Sequence, residues 1–140
     1  MRQLDRFFLD LFPLTVTAQE AKIVVQRDGK PHKYKTADLK NAEDLYMAHL
    51  ARHKPDKPYE GPLAISVDWY FHTDKAEKNH QWRITKPDTD NLNKLFKDCM
   101  TKCGYWHDDA QVVMESITKR WAVIPGIMVQ IVSLTEDKQP

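Results

Sequence analysis

A chain of 140 residues, 41% hydrophobic and 29% charged, has the length and composition of one soluble domain with a modest core, residues 1–140. No apolar run reaches the length of a membrane span, and Asp5, Arg6 and Asp10 interrupt the N-terminal stretch where a secretory signal is apolar, so the cytoplasm is the expected location. The formal net charge of +1 says little about partners by itself.

Ala21 to Gln26 is a short β-rich run, and Asp28-Gly29 is a two-residue hairpin signal that predicts a return strand from Pro31 to Tyr34. Thr36 suits the N-cap of a helix from about Ala37 to Arg52, with Leu39, Ala42, Leu45, Tyr46 and Leu50 as its apolar stripe. Residues 54–62 hold three prolines and read as a loop. Leu63 to Phe71 is the clearest strand, with Leu63, Ile65, Val67, Trp69 and Phe71 on one face.

A polar connection from His72 to His80 then leads to a predicted short strand, Trp82 to Thr85. Pro87 disfavours helix at Lys86, so the second helix begins after it and runs from Thr89 to Cys103, stopping at Gly104. Leu92, Leu95, Phe96, Cys99 and Cys103 form its buried face. Val112–Val123 and Ile127–Leu134 alternate well and are joined at Pro125-Gly126, which predicts an antiparallel pair. The fold class is α+β: a mixed, mostly antiparallel sheet with two principal helices packed on it.

Cys99 and Cys103 lie one helical turn apart, which is neither a zinc-ribbon nor a redox spacing, and they read as small buried hydrophobes. His49 and His53 share a helix face but lack a third ligand for a soft metal. Charge is unevenly spread. From Lys22 to Lys40 six basic residues face two acids, and from Lys75 to Lys86 four face Glu77 alone. Basic flanks around an acidic pocket suit a phosphodiester substrate.

The acids concentrate around the second helix. Asp88 and Asp90 sit at its mouth, and Asp108 and Asp109 in the turn after its end. A helix and the following strand can fold back and bring both pairs together. Carboxylates so gathered repel one another, and a hard divalent cation removes that conflict. Helix capping accounts for one or two of these acids, not for Asp108 and Asp109. Lys94 shares a helix face with Asp90, either as a surface pair or as a cation facing a phosphate.

Asp88-Thr-Asp90-Asn91-Leu92-Asn93-Lys94, then Gly104-Tyr-Trp106-His-Asp108-Asp109-Ala-Gln111-Val112, resembles the signature of RusA-type Holliday-junction resolvases. The pattern is D-x-D-N-L-x-K followed, after a helix, by G-x-W-x-D-D-x-Q-V, met here without a gap. The region from Leu63 to Leu134 also resembles that family's central and closing strands, while the first sixty residues match only in having a basic hairpin followed by a helix.

The resemblance implies a small homodimeric endonuclease of the kind carried by prophages, dependent on Mg²⁺, for which Mn²⁺ can stand in. Its substrate is branched DNA, the four-way junction, cut by paired symmetric nicks in recombination and repair. Asp88, Asp90 and Asp109 match the family's essential acids and metal ligands, Lys94 its essential lysine, and Asp108 a further candidate ligand; Asn91 matches a motif position without an assigned role. Arg27, Lys30, Lys33, Lys35, Arg83 and Lys86 are the candidate DNA contacts; Pro87 stands where the family often has a second basic residue. Trp82, Trp106 and Trp121 read as core or dimer-interface residues. Two other readings compete: a DNA-structure-binding protein without turnover, and a metal-dependent nuclease of flaps or forks.

Overall fold

The computed structural model describes residues 1–17, 22–25, 27, 29–34 and 36–136, with backbone alone for 22–25 and 31–34. In chain order the elements are β1 (Arg2–Leu9), β2 (Lys22–Val25), β3 (Pro31–Tyr34), α1 (Ala37–Leu50), β4 (Leu63–His72), α2 (Thr89–Cys103), β5 (Val112–Ala122) and β6 (Gly126–Ser133). Strands β2 and β3 form a separate antiparallel hairpin, as expected; Asp28 of its turn lies outside the described residues.

The other four strands make one sheet in the order β1-β6-β4-β5. β1 with β6 and β6 with β4 are antiparallel, and β4 with β5 is parallel, so the sheet is mixed and mostly antiparallel. The expected direct pairing of Val112–Val123 with Ile127–Leu134 does not form. β4 lies between them, Val67 facing Ile117 on one side and Val129 on the other. The reason is burial: β4 alternates buried and half-buried along its length, and the strand with the most apolar face gains most from the centre. α2 is the crossover that a parallel β4–β5 pair requires.

β1 carries no clear period in the sequence, because its register against β6 slips between Gln3 and Asp5; only Phe7 and Leu9 are buried. The predicted strand at Trp82–Thr85 reduces to a single bridge between Trp82 and Arg120. Trp106 joins the core, but Trp82 is 59% exposed, its ring covered by the Arg120 guanidinium at 3.7 Å.

The core lies between the helix-bearing sheet face and the two helices. Trp69, Phe71 and Val67 of β4 meet Tyr46 and Leu50 of α1 and Leu92, Phe96 and Cys99 of α2. Phe96 and Tyr46 set their rings edge-on to Trp69, at 5.4 and 5.8 Å. Burying each large apolar side chain contributes about 1.5–3 kcal/mol, so this face holds α2 firmly. Thr36 caps α1 through Leu39 N–H, and Gly104 ends α2 in the left-handed region at φ 87°. Among the described residues no helix is long and apolar enough to cross a membrane.

Candidate active site

Asp88 is the N-cap residue of α2 in backbone conformation, yet its carboxylate accepts no capping hydrogen bond. Capping therefore does not explain the acid. Asp90 in the first helical turn is exposed, as is Lys94 one turn on. Neither side chain makes a hydrogen bond or ion pair with the described residues. α2 presents these three outward because Leu92, Leu95 and Phe96 claim the inward face.

Asp108 and Asp109 differ from each other. Asp108 Oδ1 accepts from Ala110 N–H at 2.8 Å and caps the 3₁₀ turn Asp109–Gln111. Asp109 is half-buried, and its carboxylate has no described partner. Gln111 organises this turn: its Oε1 accepts from His107 and Asp108 N–H, and its Nε2 donates to Tyr59 and Gly61 carbonyls. His107 is exposed and bonds Glu60 at 2.8 Å.

The two groups of acids do not converge within one chain. Among the described residues no three His, Cys, Asp or Glu side chains stand close enough to hold a metal. α2 and β5 run antiparallel side by side, pinned midway by Lys97 and Glu115 at 2.9 Å. At the start of α2, Lys119 of β5 bonds the Pro87 carbonyl next to Asp88, whereas Asp109 precedes Val112 at the other end of the strand. From Val112 to Lys119 an extended strand covers about 23 Å. The expected fold-back occurs, but it leaves Asp88 and Asp90 at one end and Asp109 at the other.

The candidate DNA-contacting cations occupy different settings. Arg27 and Lys30 are exposed at the β2–β3 hairpin, Lys33 lies in β3, and Lys35 is outside the described residues. Lys86 is exposed. Arg83 is half-buried over the Phe71 and Trp121 rings, and burial pushes its pKa below the ordinary value. Lys119 escaped notice in the sequence. The available signal was a lysine in a core-facing alternation, between Ile117 and Trp121 and opposite Trp69. Burial pushes its ammonium pKa below the ordinary value, the nearby Arg83 adds to that, and Asp88 opposes it.

Residues 13–132 match the family model for Endodeoxyribonuclease RusA. A crossover junction endodeoxyribonuclease RusA of Lactococcus phage r1t is 34% identical over 109 residues, covering 76% of this chain and 79% of the relative. An uncharacterised protein of Bacillus subtilis (strain 168), YqaN, is 30% identical over 116 residues, covering 75% of this chain and 81% of its own.

Proposed function

Because this chain belongs to the RusA family of endodeoxyribonucleases, we propose that it resolves four-way DNA junctions by nicking two opposed strands symmetrically. It is an endodeoxyribonuclease, and so a phosphodiester hydrolase. One observation carries the site assignment. Asp88, Asp90, Asp109 and Lys94 lie inside the family match, and none commits its charged group to another described residue. Charged side chains left unpaired are available to a ligand, even where one chain holds them at two separate ends.

Nucleases of this family depend on a divalent metal. The donors here suit a hard cation: carboxylate oxygens that are accessible and uncommitted. Asp88, Asp90 and Asp109 would hold Mg²⁺ or Mn²⁺, with Asp108 offering only the oxygen not used in its cap. When bound, the ion supplies an activated water and neutralises charge on the scissile phosphate. Lys94 places a further positive charge against the phosphate oxygens. Arg27, Lys30, Lys33, Lys35 and Lys86 would grip the phosphate backbone of the arms, and Arg83 supports Lys86 through its carbonyl.

A second copy of the chain completes the site. The outer edge of β5 is already covered near its end, where Arg83 N–H bonds the Lys119 carbonyl and Trp121 N–H bonds the Gln81 carbonyl. From Val113 to Ile117 no described backbone pairs with that edge, and Val113 and Met114 are 63% and 61% exposed. A copy laid antiparallel along this open stretch drives its own Asp109 turn toward residues 85–88 of the first. Asp109 of one copy then joins Asp88 and Asp90 of the other, and two-fold symmetry makes two such sites. Paired nicks need two sites in one complex. The cytoplasm is the proposed place of work.

The test is incubation with labelled four-way junction, fork, flap and linear duplex in Mg²⁺, beside light scattering. Paired symmetric nicks in the junction, from a species of about twice 16.4 kDa, are expected. Cleavage confined to flaps or forks overturns the substrate, and paired cutting by a clean monomer overturns the dimer.

A further inference from the structure

Three consecutive carbonyls lead into Asp88, and two cations hold all three. Lys119 Nζ donates to the Thr85 carbonyl at 2.8 Å and to the Pro87 carbonyl at 2.7 Å. Arg83 Nη2 donates to the Lys86 carbonyl between them at 2.6 Å, and its Nε reaches Thr85 Oγ1 at 3.2 Å. Arg83 is itself fixed, with its guanidinium 4.2 Å from the Phe71 ring centroid and 4.6 Å from that of Trp121. On the other side of Asp88, its carbonyl accepts from Leu92 N–H at 3.1 Å and starts α2.

A lysine at a core-facing strand position is costly unless its ammonium is satisfied, and an apolar residue would pack there more cheaply. Here the ammonium bonds the strap that carries Asp88. It does not bond the Asp88 carboxylate, which stays unengaged.

We infer that Lys119, supported by Arg83, is a positioning residue for Asp88: the clamp on residues 85–87 holds that carboxylate ready for the divalent ion. It also sets two positive charges behind acids that would otherwise repel each other as they are drawn together. The inference rests on the reading of Asp88 as a metal-holding residue. Lys119 acts through Asp88 and touches neither the ion nor the DNA, which separates its role from that of Lys94. Groups that orient metal-holding side chains typically change metal affinity by about 10- to 100-fold when removed.

The experiment compares Lys119→Met, Lys119→Arg, Arg83→Met and Asp88→Asn in the full chain. Mn²⁺ binding is followed by electron paramagnetic resonance without DNA, junction affinity by gel shift in EDTA, and folding by thermal melting. Lys119→Met is expected to weaken Mn²⁺ binding roughly 10-fold or more, to raise the Mg²⁺ needed for half-maximal nicking in parallel, and to leave junction affinity in EDTA unchanged. Lys119→Arg, which keeps a cationic donor, recovers most of the loss. Arg83→Met, which removes the middle bond of the clamp and the Thr85 Oγ1 contact but leaves both Lys119 bonds, gives a smaller loss and keeps the inference testable if Lys119→Met melts early. Wild-type Mn²⁺ binding in folded Lys119→Met overturns the clamp while Asp88→Asn still weakens binding. Unchanged binding in Asp88→Asn overturns the metal-site reading and the clamp with it. Lost junction affinity with unchanged metal dependence makes Lys119 a DNA contact and also overturns the inference.

Discussion

Lys97 Nζ lies 2.9 Å from Glu115 Oε2, tying the middle of α2 to the first half of β5. The pair is partly exposed, and such a bridge contributes little stability. Its position is more telling. It lies between the two ends of an antiparallel helix–strand run, and those ends keep the two groups of acids apart within one chain.

Asp88→Asn, Asp90→Asn and Asp109→Asn are each expected to abolish nicking while keeping or strengthening junction binding. Each removes an uncommitted oxygen donor and a negative charge facing phosphate. Gel shift and nicking on the same preparations check this. Binding lost in step with cleavage would assign the acids to folding.

Mixing is expected to rescue what single variants lose. Coexpressed Asp88→Asn and Asp109→Asn chains form some dimers in which one site holds both substitutions and the other holds neither. Those mixed dimers regain single-strand nicking, measured against each variant alone. A site built within one chain would leave every mixed dimer inactive.

Lys94→Ala is expected to slow cleavage by roughly 10²- to 10³-fold, the cost of losing one charge-stabilising donor in a transition state. Stability should move by no more than about 0.5 kcal/mol, because the side chain is exposed and unpaired. Single-turnover nicking and thermal melts separate the two effects. Near wild-type nicking would return Lys94 to the solvated surface.

Gly126→Ala is expected to destabilise the protein by about 1–3 kcal/mol. A Cβ there would meet the Phe8 ring and, at 2.7 Å, the Leu9 carbonyl oxygen, where β6 begins against β1. Chemical denaturation measures the loss. An unchanged midpoint would mean that β1 shifts freely.

Stability is expected to decline at alkaline pH. Burial pushes the Cys99 thiol from its ordinary 9.0 up to about 12 and raises the Tyr46 and Tyr105 phenols above 10.0. The folded state keeps these protons longer than the unfolded chain does. Their contribution is therefore whole below pH 9 and shrinks as the pH rises toward 12. Melting curves across that range check the sign, and Cys99 should resist alkylation at neutral pH until the protein unfolds.

The sequence by itself determined the features that depend on near neighbours. α2 begins at Thr89 and ends at Cys103 as read, because Pro87 before it and Gly104 after it act within one turn. The candidate acids and Lys94 stood out for the same reason, since residue type and spacing are local properties; that their charged groups have no described partner came from the structure. Only the tertiary structure decided what distant segments do to one another. β4 entered between β5 and β6 because burial favours the most apolar strand at the sheet's centre, whatever the turn at Pro125-Gly126 suggests. The separation of Asp109 from Asp88 follows from the lengths of a helix and a strand laid side by side. The hold of Lys119 on the Thr85 and Pro87 carbonyls joins residues more than thirty positions apart, and no local pattern encodes a contact made only when β5 packs beneath that strap.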